Sequence, residues 1–192
     1  KLFTFGSIYY TLLFTISCQF PFFWDSILLS SIYPDWYYQS NFTTLFVPEK
    51  IAGYPPYWGM YIAIFWKLFN KSLFVSHLSM LPFIIGIVYQ TIRITKYYFK
   101  TNYLLPLIIL LSEPTLITQT TQLGPDIALV FFFLLCINSI LHHKTFMLSI
   151  SCLFLSIVTP RGMIISVSIP ILYLTHQLFI LSEKKYTSIV LR

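Results

Sequence analysis

The stretch from Leu73 to Lys100 reads LFVSHLSMLPFIIGIVYQTIRITKYYFK, and its reading decides the fold. Residues 73–92 run without an Asp, Glu, Lys or Arg. About 20 such residues in a helix cross the ~30 Å hydrocarbon core of a bilayer. Arg93, Lys96 and Lys100 follow directly. Because Lys and Arg collect on the cytoplasmic side of membrane helices, the segment enters from outside at Leu73 and ends inside.

Five further apolar segments approach that length with few charges: 2–22, 103–122, 126–141, 163–181 and the slightly shorter 145–159. With 57% hydrophobic and only 9% charged residues, the 192-residue chain lacks the polar surface of a soluble domain, where about 25% are charged. Leu2 to Phe22 is too long for a signal-peptide core and has no small-residue cleavage site, so it reads as a retained membrane helix. The run Tyr57 to Phe69 is short and interrupted by Lys67, which suits an interfacial or re-entrant helix. Were it a span, Arg93, Lys96 and Lys100 would face outward, against the charge rule. The expected fold is therefore all-α: six transmembrane helices and an interfacial helix within a long first outer loop, residues 23–72. Prolines 82, 106, 114 and 170 predict kinks.

On this topology eight of the twelve Lys and Arg residues fall inside: Lys1, Arg93, Lys96, Lys100, Lys144, Lys184, Lys185 and Arg192. Asp25, Asp35, Glu49 and Asp126 fall outside. The net charge of +6 comes from membrane anchors, without the aromatic interleaving of a nucleic-acid platform, so no nucleic-acid partner is expected. Cys18, Cys136 and Cys152 lie in separate apolar runs and read as buried thiols. His142 and His143 read as solvated turn residues rather than metal ligands.

The outer loop is dense in Trp and Tyr, which favour the membrane–water boundary. Asp25, after Phe22-Phe23-Trp24, is either a solvated helix end or a general base whose pKa is lifted by partial desolvation. Asp126, after Gly124-Pro125, suits the first turn of a helix and is also an acid on the outer face. Glu113, in Ser112-Glu113-Pro114, lies mid-way along a span, where a carboxylate costs about 2.5–3.5 kcal/mol on insertion scales. It either faces a cavity or is protonated and donates to a carbonyl freed by Pro114. Arg161, in Thr159-Pro160-Arg161-Gly162, either snorkels or contacts phosphate, and Lys50 has the same choice between solvent and phosphate. Asn41-Phe42-Thr43 and Asn70-Lys71-Ser72 match the glycosylation sequon.

The order of these features resembles the polytopic lipid-phosphate-dependent glycosyltransferases of the GT-C superfamily, which include protein O-mannosyltransferases and aminoarabinose transferases. The shared pattern runs from Asp25 in Phe23-Trp24-Asp25-Ser26, through Gly53-Tyr54-Pro55-Pro56-Tyr57 and a short helix. It continues with a second span closing at Arg93, then Gly124-Pro125-Asp126-Ile127 and Thr159-Pro160-Arg161-Gly162. The resemblance implies transfer of a sugar from a polyprenyl-phosphate donor to a glycan, lipid or protein acceptor on the outer face. It implies catalytic roles for Asp25 and Asp126. Substrate contacts are expected from Arg161, Lys50, Tyr54, Trp58 and Glu113. No cofactor is required, and a divalent metal remains compatible. The expected location is the bacterial cell membrane, or the endoplasmic reticulum in a eukaryote. Residues 1–192 are expected to form one transmembrane domain, incomplete at the C-terminus. Two other readings stay open: a transporter or lipid flippase built around Glu113, and an inactive membrane scaffold.

Overall fold

The structure, a computed structural model, describes residues 2–20, 31–48 and 55–190. Nine helices and no strand are present among them, so the fold is all-helical as expected. They are α1 (Leu2–Ser17), α2 (Ile32–Gln39), α3 (Pro56–Phe69), α4 (Leu73–Phe99) and α5 (Leu104–Leu111). After these come α6 (Pro114–Thr121), α7 (Asp126–Leu141), α8 (Thr145–Val158) and α9 (Pro160–Val190).

α4 is the central helix. Its 27 residues extend about 40 Å, and it is the one described helix long and apolar enough to cross a membrane by itself. α5 and α6 meet that test as a pair, bent by 51°. The apolar parts of α1, α7, α8 and α9 are shorter, 10–17 residues each. Pro114 opens α6 and accounts for the bend, because it supplies no N–H to continue α5. Pro82 and Pro170 lie inside unbroken helices, and Pro106 sits in the first turn of α5, where its missing N–H costs nothing.

Side-chain pairs fix the helix directions. Phe14 of α1 meets Phe74 and His77 of α4, while Gly6 approaches Val88, so α1 and α4 are antiparallel. Phe83 meets Phe131 and Phe132, and Gln90 meets Asn138, so α4 and α7 run parallel. The α5–α6 pair therefore carries the chain back between them. Phe132 stacks on Phe154 at 5.0 Å and Cys136 bonds Ser151 at 3.0 Å, making α7 and α8 antiparallel. Cys152 is also close, with its Sγ 3.7 Å from that of Cys136, although sequence had put the two thiols in unrelated runs. α9 then turns back along α8. At Gly162 a Cβ would lie 2.1 Å from the Leu155 carbonyl oxygen, so only glycine permits this approach.

The starts of α4, α7 and α9 and the ends of α1, α3 and α8 consequently share one end of the bundle. Lys100, His142, His143 and Lys144 share the other. Between the two ends the core is apolar, with Ile62, Met80, Ile84, Ile87, Ile127 and Leu155 buried to within 1%. The outside is apolar too: Leu105, Ile109, Ile164, Val167 and Leu172 are all more than 60% exposed. Lipid is the solvent such a surface suits.

Candidate functional site

The first loop contributes more structure than its sequence suggested. Ile32–Gln39 forms a helix, α2, with Asp35 in its first turn, where a carboxylate complements the helix dipole. Tyr33 and Tyr37 are buried against α3. The helices touch closely because Gly59 faces Tyr33, whose Cβ would be 2.8 Å from any Cβ added there. Asn41 and Phe42, with φ of 50° and 61°, turn the chain out of α2.

α3 begins as expected at the proline pair, with Pro55 as N-cap and Pro56 in the first turn. Trp58, Ile62 and Trp66 recur every four residues and form its buried stripe. It does not lie flat across the helix ends. Trp58 meets Phe83, the Tyr61 hydroxyl donates to the Ser79 carbonyl at 2.7 Å, and Trp66 Nε1 donates to Ser76 Oγ at 2.8 Å. These contacts run antiparallel along α4, so α3 and α4 form a helical hairpin.

Charged side chains fasten α2 to this hairpin. Lys71 forms an ion pair with Asp35, whose other oxygen accepts from Gln39 at 2.7 Å. Lys67 donates to Asn41 Oδ1 at 2.5 Å and lies 4.4 Å over the Tyr38 ring. Lys71 lies 5.0 Å over Trp66. Asp35 was legible only as one acid in the loop. Its partner stands 36 residues away, and no local pattern announces that pairing. Burial, followed by the nearness of Tyr33, raises the pKa of Tyr37. Burial likewise raises those of Tyr57 and Tyr61. The Tyr37 hydroxyl donates to the Leu45 carbonyl at 2.7 Å and that of Tyr61 to the Ser79 carbonyl, each as a neutral donor.

Asp126 is half-buried in the first turn of α7, with no hydrogen bond or ion pair among the described residues. Arg161 is exposed at the same end of the bundle. Thr159 explains its setting: the Thr159 hydroxyl accepts from Gly162 N at 3.0 Å, capping α9, with Pro160 as first residue. Arg161 thus holds a cation at the positive end of a helix dipole, an arrangement an anion would relieve.

Trp58 differs from its expected role. It is 3% exposed, with Tyr61 at 5.8 Å and Phe83 at 5.9 Å, so its ring belongs to the core and offers no free face to a sugar. Asp25, Lys50 and Tyr54 lie outside the described residues.

Glu113 is exposed at the α5–α6 break. Its Oε2 accepts from Leu116 N at 2.7 Å and its Oε1 from the Thr115 hydroxyl at 2.9 Å. It therefore caps α6 as an acceptor and does not donate to a carbonyl freed by the proline. The Leu111 carbonyl at the break is instead taken by the Tyr10 hydroxyl, at 2.6 Å. Beside Glu113 lies a groove of about 240 Å³ between α4, α5, α6 and α7. No group of three or more His, Cys, Asp or Glu residues able to hold a metal occurs among the described residues. No family model, curated protein or solved structure matches the chain.

Proposed function

We propose that the chain is a multi-pass membrane glycosyltransferase of the GT-C type, taking its sugar from a polyprenyl-phosphate donor in the outer leaflet. The six-span reading belongs to this proposal: α1, α4, the α5–α6 pair, α7, α8 and α9 cross in alternation, with α2 and α3 on the outer side. One observation carries it. Asp126, Arg161 and the aromatic, ion-paired α2–α3 unit share a single end of the bundle, as an acid, a phosphate contact and a lipid-seated platform require.

In this mechanism Asp25 accepts the proton of the acceptor hydroxyl as its oxygen attacks the anomeric carbon. The bond from that carbon to the phosphate oxygen breaks, and the electron pair leaves with the polyprenyl phosphate. Arg161 and Lys50 receive the phosphate charge, and Tyr54 is a further substrate contact in this reading. Asp126 orients the acceptor. No cofactor enters these steps, and a divalent metal is compatible with them.

The test uses the full chain in proteoliposomes with a radiolabelled polyprenyl-phosphate sugar. Transfer that Asp25→Asn abolishes supports the reading. Undiminished transfer removes Asp25 from the base role, and no binding of any polyprenyl phosphate leaves an inactive scaffold. Glu113, at a helix break beside a groove, favours a second reading as a transporter or flippase. Uptake without transfer in the same vesicles would select it.

A further inference from the structure

The groove at the α5–α6 break has a composition that specifies a ligand. Leu110, Val130 and Leu134 give it an apolar wall. Thr91, only 4% exposed, and Gln119 are the further polar residues of its lining. Glu113 stands at its edge with both oxygens acting as acceptors, each keeping a free lone pair. The one ion pair among the described residues is Lys71–Asp35, so Glu113 makes no ion pair with a described cation.

We infer that this groove binds a small organic cation, an ammonium head on a compact apolar body. Charge complementarity sets the head: a carboxylate without a described counter-ion suits a donor-only cation. The wall sets the body. A groove this apolar hydrates poorly, and at about 240 Å³ it lies below the ~300–1,000 Å³ of drug-sized pockets, so the ligand is small. A bare alkali ion would leave most of the wall uncovered and would find few oxygens. The inference uses neither Asp126 nor Arg161 and holds whether or not sugar transfer is found.

The experiment measures binding of phenethylamine to the full chain in lipid nanodiscs by calorimetry, with empty nanodiscs as the blank. Phenethyl alcohol and phenylacetate serve as the neutral and anionic counterparts. The amine is expected to bind about tenfold more tightly than the alcohol, the scale of one charge-assisted hydrogen bond. Phenylacetate is expected not to bind. Glu113→Gln keeps an oxygen to cap α6 and should bring the amine down to the level of the alcohol. Val130→Trp fills the groove and should remove both; Leu134→Phe repeats that test should the tryptophan variant misfold. Equal affinity for amine and alcohol overturns the inference, as does an amine preference surviving Glu113→Gln. Displacement of the amine by sodium chloride, with choline chloride inert, would make the site a metal site and overturn it as well.

Discussion

The two ends of the bundle handle charge differently. At one end the charges that close α4 and follow α7 are all basic: Arg93 lies 5.8 Å over Tyr89, Lys96 lies 5.4 Å over Tyr103, and Lys100 and Lys144 are exposed. At the other end both signs occur. Two lysines there are committed, Lys71 to Asp35 and Lys67 to Asn41, each stacked on an aromatic ring. Asp126 and Arg161 are left uncommitted. Basic residues clustered at helix ends serve to anchor helices and set their direction. An end that mixes fixed ion pairs with free groups of both signs has the parts for proton transfer and phosphate binding.

The largest expected effect tests that division. Asp126→Asn should lower sugar transfer at least ~100-fold, the lower range for a positioned acid or base. Lys100→Ala at the opposite end should leave it within about twofold. Both are read as initial rates in proteoliposomes at matched protein content. Comparable losses from both variants would break the contrast between the ends.

The bundle was legible because hydropathy and charge are one-dimensional signals. The run 73–92 announced α4 as a long helix, and α7 runs parallel to it, as the expected alternation of segments requires. Pro55-Pro56 announced α3 because proline suits a first turn. α2 went unread: its Tyr and Trp residues were taken for interfacial loop, whereas Tyr33 and Tyr37 bury against α3. The tilt of α3, the Asp35–Lys71 pair and the burial of Trp58 depend on contacts between distant segments. Local pattern carries no record of those. Glu113 was marked by its cost in a span, but only the fold revealed it as the cap of α6.

A smaller effect is expected inside the bundle, where Gln90 and Asn138 join α4 to α7 near the basic end. Both are buried, at 6% and 3% exposure. Gln90→Leu leaves the Asn138 amide without its partner and should cost about 1–2 kcal/mol, the model-peptide range for a hydrogen bond between membrane helices. Adding Asn138→Leu should recover most of that loss, since two apolar groups of similar shape leave nothing unsatisfied. Thermal unfolding in detergent of the single and double variants measures the coupling. Additive losses would show that the pair contributes no specific bond.

Alkaline pH should loosen the aromatic end. Tyr37, Tyr57 and Tyr61 have raised pKa values through burial, so the folded state keeps protons that the unfolded chain releases near pH 10. Their contribution is therefore fully present below about pH 10 and falls as pH rises toward the folded values, by at most ~1.4 kcal/mol per pH unit per group. Hydrogen exchange across α2 and α3 should quicken above pH 10, and Tyr37→Phe should weaken that dependence in α2. Exchange rates in α2 and α3 with no pH response beyond the intrinsic one would contradict it.

The smallest effect concerns the ion pair that looks most conspicuous. Lys71 is 46% exposed and Asp35 33%, so solvent screens their attraction and an exposed pair is worth about 0–1 kcal/mol. Asp35→Asn should barely move the melting temperature, because Tyr33, Tyr37 and the close approach at Gly59 already hold α2 on α3. Its effect should appear instead in how firmly the α2 helix is held. Spin labels at Gln39 and Phe69 should report a broader distance distribution in Asp35→Asn. The swapped double variant Asp35→Lys with Lys71→Asp should narrow it again only in part, since the dipole of α2 opposes a lysine in its first turn. A full recovery would mean that the pair alone, without the helix dipole, sets the register of the two segments.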